Sequence, residues 1–175
     1  MDKNRIPEKI EQIHLVAVCG TGMGALAGML KDLGYRVTGS DHEVYPPMSE
    51  FLAAKGIPVY DGFSGENIDS STDLVVIGNA VRKDNPEVVR TRDLNLRFCS
   101  MPQAVNHFAA RGKKVLMVVG THGKTTTASL LAWLLNYAGF DPSFMIGGIL
   151  KNFGSNYRLG AGDRKSTRLN SSHYS

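Results

Sequence analysis

Short apolar runs alternate along the chain with longer segments of helical spacing. Ile13–Val18 predicts a short apolar strand, and Gly20-Thr21-Gly22-Met23-Gly24 turns the chain. Ala25, Leu26, Met29, Leu30 and Leu33 then recur at helical spacing until Gly34 stops the helix. Tyr35–Gly39 predicts a second strand, ending in Ser40-Asp41. Pro46-Pro47 opens a helix over Met48–Lys55, Gly56 closes it, and Ile57–Tyr60 predicts a third strand. Asp61–Ser71 reads as a turn-rich loop. Asp73–Ile77 predicts a fourth strand, followed by the loop Gly78-Asn79-Ala80. A helix over Pro86–Asp93, a fifth strand over Leu96–Cys99 and a helix over Pro102–Ala110 complete the alternation.

Short strands that are apolar on both faces, separated by helices, predict an α/β fold with a Rossmann-like, doubly wound parallel sheet. Residues 1–11 are polar and charged and are expected to fray, so this first domain is expected to span 12–110. Ala110–Lys114 is basic and contains glycine, which suits a linker. Val115–Val119 then predicts a buried strand running into Gly120-Thr121-His122-Gly123-Lys124-Thr125-Thr126. A helix follows to about Ala138, stopped by Gly139; after Pro142 come the apolar Phe144–Ile146, Gly147-Gly148 and the polar, glycine-rich Asn152–Gly162. The second domain is therefore expected to be the start of a P-loop, ATP-binding α/β unit over 114–162. One strand, one helix and one more strand cannot close a sheet, so that domain is expected to be truncated. Leu130, Leu131, Leu134 and Leu135 would then lack the strands they should pack on, which predicts poor solubility.

The strand, glycine turn and helix start at Val115–Thr127 carry a definite chemistry. Glycines let backbone N–H groups curl around phosphate oxygens, and a helix N-terminus adds partial positive charge. Lys124 can reach terminal phosphates, and the Thr125 hydroxyl is placed to ligate Mg²⁺. The full G-x-x-x-x-G-K-[ST] pattern wants glycine where Val118 stands, so the loop is a shorter variant. The competing reading is a plain structural β–α turn.

Gly20-x-Gly22-x-x-Ala25 fits the dinucleotide fingerprint, with Asp41 at the end of the second strand. Alone it predicts NAD. The same crevice suits any nucleotide diphosphate, because a helix end binds charge and does not read the base. An NAD enzyme does not need the second turn, and an ATPase does not need the first. An enzyme that joins a nucleotide-linked substrate to something else with ATP needs both. An NAD-binding oxidoreductase or sensor remains the alternative from another class, and it leaves Gly120–Thr126 unexplained.

Composition narrows the picture little. The chain has 175 residues and 42% apolar content, enough for one domain or one and a fraction. Cys19 and Cys99 make no disulfide framework and read as buried thiols, compatible with a reducing, cytoplasmic setting. The apolar run at 13–19 is too short for a signal peptide, and no run is long enough to span a membrane. Residues 163–173 read DRKSTRLNSSH, which looks like a common sequencing-adapter oligonucleotide translated in frame. Residues 163–175 are therefore expected to be a non-native tail; a natural polar C-terminus is the alternative. Asp163 against Arg164, Lys165 and Arg168 carries half of the formal +4 charge. What is left is too small to suggest nucleic acid. His122 reads as an exposed loop residue, and His42 and His107 as surface residues.

Gly120–Thr127 resembles the ATP loop of the Mur ligase family of peptidoglycan synthesis, including the missing first glycine. The first domain resembles that family's UDP-sugar domain, and the resemblance covers roughly 12–162. It implies an ATP-dependent, Mg²⁺-assisted ligase acting through an acyl phosphate on the lactyl carboxylate of UDP-N-acetylmuramate. Val44–Ser49, Ile77–Ala80 with Asn85-Pro86-Glu87, and Phe144–Gly148 leading to Asn152–Gly154 favour a murein tripeptide as the acceptor over L-alanine. Members that use L-alanine typically carry serines at Asn79-Ala80. The resemblance implies that Gly120, Thr121, His122 and Gly123 cradle the phosphates of ATP. Lys124 would stabilise the transferring phosphoryl group, Thr125 would hold Mg²⁺, and Thr126 would donate to the α-phosphate side. Thr21, Gly22, Met23 and Gly24 would face the UDP diphosphate, with Ser40, Asp41, Asn79 and Ala80 also on the UDP substrate. The family's further Mg²⁺ ligands and its amine-binding domain have no counterpart in these residues. The 175-residue chain alone is therefore expected not to ligate.

Overall fold

The computed structural model describes residues 3–161, and the expectation of a non-native tail at 163–175 lies outside them. The chain divides into two compact units, one ending at Phe108 and the other beginning at Ala109.

In the first unit, strands and helices alternate in chain order. They are β1 (Gln12–Val16), α1 (Thr21–Asp32), β2 (Arg36–Asp41), α2 (Met48–Ala54), β3 (Val59–Asp61), β4 (Leu74–Ile77), α3 (Pro86–Asp93), β5 (Arg97–Ser100) and α4 (Met101–Val105). The five strands form one parallel sheet in the order β3-β2-β1-β4-β5. The chain leaves β1 toward β2 and β3 on one side, then returns to β4 and β5 on the other. β1 and β4 therefore flank the point where the winding reverses, which is where open α/β sheets bind ligands.

Burial on both faces explains the near-continuous apolar strands. Ile13, Leu15 and Val16 of β1 and Leu74–Val76 of β4 are essentially inaccessible. Side chains alternate along a strand, so His14 and Val16 share one face of β1. Val16 packs there with Ile68 and Val75, with Phe63, Leu94 and Phe98 around them. Helix α1 buries Met23 through Leu30 without a break, because helices and sheet enclose it. Local chemistry sets the ends of the shorter helices. The Asn85 side chain accepts from the Glu87 amide at 2.9 Å and Pro86 opens α3. Gln103 reaches back to the Ser100 amide at 2.8 Å at the start of α4.

Several boundaries differ from expectation. β1 stops at Val16, because Ala17 turns to φ 65° and bends the chain out of the strand. The loop at 61–71 contains a single 3₁₀ turn, Gly65–Asn67. The last expected helix tightens to α4 and then widens into a π-helical turn over Asn106–Ala110. Residues 3–11 lie outside helix and strand, yet the Lys3 carbonyl accepts from the Phe98 amide at 3.1 Å.

The second unit holds α5 (Lys124–Tyr137), β6 (Phe144–Leu150) and β7 (Ser155–Arg158). β6 and β7 form an antiparallel hairpin, so the stretch expected to be a polar loop contains a strand. Ala132 of α5 packs on Ile146 and Leu150, with Ala128, Phe144 and Phe153 at the margin. Arg158 donates to Asn136 and pairs with Asp141, tying β7 to the end of α5. The buried strand expected at Val115–Val119 is not one. Val115, Leu116, Met117 and Val119 are 57–79% exposed. A parallel strand needs neighbours to take its backbone hydrogen bonds, and among the described residues none pairs with it. Leu130 and Leu134 are exposed on the side of α5 away from its alanines.

Candidate functional site

The first candidate site lies at the carboxyl ends of β1, β2 and β4. These ends are in register, with Val16 opposite both Ser40 and Ile77. The turn out of β1 opens α1 with Gly20 as its cap, extended at φ −65° and ψ 143° and with no side chain bonded across it. The first intrahelical bond runs from the Gly24 amide to the Gly20 carbonyl at 2.8 Å. Helix geometry therefore leaves the amides of Gly22 and Met23 without an intrahelical acceptor. The first turn of α1 carries no acidic side chain of its own to oppose an anion.

The glycines have distinct duties. A Cβ on Gly22 would sit 2.7 Å from the Met101 methyl, and one on Gly24 would run into the Met48 sulfur. Two flexible thioethers, from α2 and α4, thus close over the turn where side chains would otherwise stand. Gly39 lets Val18 cross β2, since a Cβ there would lie 2.7 Å from the Val18 Cβ.

The remaining candidates divide. Asn79 and Ala80 are exposed in the loop after β4, the strand next to β1. Asp41 is directed into the framework: Oδ2 accepts from the Cys19 amide at 2.7 Å, and Oδ1 from the His42 amide at 2.8 Å. Ser40 is fully buried, and its hydroxyl donates to Glu87 Oε2 at 2.5 Å. Cys19 is half-buried and Cys99 buried. Burial, with the Asp41 and Asp61 charges added, pushes the Cys19 thiol up to about 11, and burial pushes Cys99 up to about 12. A thiol raised from 9.0 to about 11 holds about 100-fold less thiolate at pH 8. Iodoacetamide should therefore alkylate Cys19 at about a hundredth of the rate of a free cysteine peptide. Labelling as fast as the peptide would contradict this environment.

Inspection of the sequence alone missed a polar cluster under this site. His14 and Glu87 are both fully buried, with Nε2 and Oε2 3.5 Å apart. That is ion-pair range but long for a hydrogen bond, and Nε2 has no hydrogen-bond partner. Nδ1 lies 2.9 Å from the Thr38 hydroxyl. Asn67 donates to Glu87 Oε1 at 2.7 Å. Burial alone would push the Glu87 carboxyl up, but His14, Ser40 and Asn67 together hold it below the usual carboxylate range. One signal was available: a histidine inside a strand buried on both faces must find a partner.

The second candidate site is the turn into α5. Gly123 caps the helix at φ 74°, a conformation that glycine takes without strain, and Gly120 sits at φ 146°. The first intrahelical bond is from the Thr127 amide to the Gly123 carbonyl, so helix geometry leaves the amides of Lys124, Thr125 and Thr126 open to an anion. The Lys124 ammonium donates to the Gly120 carbonyl at 2.7 Å and the Thr121 carbonyl at 3.0 Å, which holds it over the turn. Thr121, His122 and Thr125 are exposed. Thr125 stands beside Gly147 and Gly148 of β6, where a Cβ on Gly147 would be 3.8 Å from its hydroxyl. Donors and cation fit a nucleotide phosphate, and the Thr125 hydroxyl fits as one Mg²⁺ ligand among phosphate and water oxygens. Among the described residues no cluster of three His, Cys, Asp or Glu side chains could hold a metal without them.

The model of the Mur ligase family, catalytic domain, matches residues 12–113, more than half of the chain. The chain belongs to the Mur ligase family. Within that family it is 44% identical over 152 residues to a UDP-N-acetylmuramate–L-alanyl-γ-D-glutamyl-meso-2,6-diaminoheptandioate ligase of Escherichia coli, covering 87% of this chain and 33% of that protein. It is 41% identical over 159 residues to a UDP-N-acetylmuramate–L-alanine ligase of Azorhizobium caulinodans, covering 91% of this chain and 33% of that protein. A solved murein peptide ligase from Neisseria meningitidis superposes with a TM-score of 0.82 at 45% identity, over 86% of this chain and 47% of that one. The chain thus spans about a third of the length of the curated Mur ligases it matches. No helix among the described residues is long and apolar enough to cross a membrane.

Proposed function

We propose that this chain carries the UDP-sugar unit and the ATP loop of an amide ligase of peptidoglycan recycling. The reaction joins L-alanyl-γ-D-glutamyl-meso-diaminopimelate to the lactyl carboxylate of UDP-N-acetylmuramate, with ATP and Mg²⁺, in the cytoplasm. The observation that carries the reading is the pair of glycine turns. Each opens a helix whose first turn has open amides and no acidic side chain. Two such turns suit two phosphorylated substrates. The choice of tripeptide over L-alanine is supported by 44% identity to the tripeptide ligase of E. coli and by Asn79-Ala80 after β4.

Each turn then has its task. Gly22 and Met23 hold the UDP diphosphate through backbone amides, with Thr21 and Gly24 at the same helix end and Asn79-Ala80 across the crevice. Gly120–Gly123 wrap the ATP phosphates. Lys124 lies beside the transferring phosphoryl group and offsets charge as two anions approach. Thr125 holds Mg²⁺, which supplies further charge neutralisation when bound, and Thr126 donates toward the α-phosphate. A carboxylate is a poor acyl donor at neutral pH, so phosphorylation must precede attack by the peptide amine.

The test uses a protein that carries this chain together with the other two thirds of its relatives' length. Phosphate release that requires ATP, UDP-N-acetylmuramate and the tripeptide is expected. Release with L-alanine in place of the tripeptide would move the assignment to the alanine ligase, and release with neither would reject both.

A further inference from the structure

Glu87 has no part in the proposed chemistry, yet its carboxylate gathers several elements of the first unit. Ser40 of β2 and Asn67 of the 3₁₀ turn donate to it, and His14 of β1 faces it at 3.5 Å. Placing a carboxylate where no water reaches costs more than placing an apolar side chain of similar volume. Its use here is in what it holds.

Ser40 directly precedes Asp41. The Ser40 carbonyl accepts from the Val18 amide at 3.0 Å, and the Asp41 carboxylate accepts from the Cys19 amide at 2.7 Å. These two bonds clamp the two residues after Ala17, whose φ of 65° is an uphill conformation for a side-chain residue. Val18 and Cys19 lead straight into Gly20–Gly24. A chain of contacts therefore runs from Glu87 through Ser40 and Asp41 to the backbone entering the turn.

We propose that Glu87 is a positioning residue for the diphosphate-binding turn. It fixes the end of β2, and so the Asp41 carboxylate, in the place that aims the amides of Gly22 and Met23. This inference rests on the nucleotide reading of the first unit given above.

The test uses the full 175-residue chain, with UDP as the probe, and follows the Cys19 amide by ¹⁵N-resolved NMR. Glu87→Gln keeps the shape of the side chain and removes its charge. It should weaken UDP binding about tenfold, the worth of one charge-assisted hydrogen bond. It should also move the Cys19 amide resonance toward its position in Asp41→Ala, which has no side-chain acceptor for that amide. In an Asp41→Ala background, Glu87→Gln should cost less than it does alone, because the Asp41 route is gone and only the Ser40 carbonyl bond to Val18 remains. Where Glu87→Gln does not fold, Ser40→Ala, which removes one hydroxyl, is read by the same three measurements. Unchanged UDP affinity with an unmoved Cys19 amide would overturn the inference, as would losses that simply add in the double variant. A wild-type chain that does not bind UDP would overturn the nucleotide reading itself and the inference with it.

Discussion

Glu87→Ala should destabilise the first unit by about 2–5 kcal/mol, from lost hydrogen bonds to a buried carboxylate and the space left behind. The truncation leaves the buried Ser40 hydroxyl without its acceptor and takes one of its two acceptors from the Asn67 amide. It also opens a cavity between α3 and the sheet. Glu87→Gln should cost much less, since its amide oxygen still accepts. Acid supplies the second half of the prediction. The folded carboxyl titrates below its ordinary range, so its contribution is present above that range and is lost as pH falls through the folded value. The wild-type unit should lose stability on acidification more steeply than Glu87→Gln does. Urea unfolding of both variants at neutral and acid pH checks this. A Glu87→Ala chain as stable as wild type, or identical acid slopes for wild type and Glu87→Gln, would contradict the account.

Lys124→Ala should lower ATP-dependent phosphate release by about 10²–10³-fold in a protein that carries this chain and the remainder of its relatives' length. Lys124 is exposed, and its bonds are to the carbonyls of Gly120 and Thr121 in its own turn. Its removal should therefore leave unfolding of the second unit nearly unchanged, which separates a chemical role from a structural one. Lys124→Arg should rescue poorly, because a wide planar guanidinium does not fit a turn built around a compact ammonium. Retention of more than a tenth of the phosphate release in Lys124→Ala would remove the lysine from its proposed place.

The first unit was largely legible because its strands are buried on both faces and its helices are stopped by glycines or started by prolines. Each apolar run from Ile13 to Cys99 contains or overlaps a strand of the sheet. Val115–Val119 has the same composition and forms no strand. Apolar character states that a segment is suited to burial, and a strand also requires neighbours to take its hydrogen bonds. β7 was illegible for the opposite reason: Ser155–Arg158 has little apolar alternation, and pairing with β6 makes it a strand. At the site, the glycine turns could be read because phosphate binding demands particular residues at fixed spacing. The duties of Ser40 and Asp41 could not. Whether a polar residue at a strand end faces a ligand or a buried carboxylate depends on what packs beneath it, and Glu87 lies 47 residues away from Ser40 in the chain.

The first glycine turn is proposed to take a UDP-sugar. Titrating the chain with UDP-N-acetylmuramate and, separately, with NAD, while following backbone amides by NMR, tests it most directly. UDP-N-acetylmuramate should saturate a single site and shift the amides of Gly22, Met23, Gly24, Asn79 and Ala80, with NAD leaving them in place. Saturable shifts of those amides by NAD, with none from UDP-N-acetylmuramate, would contradict it.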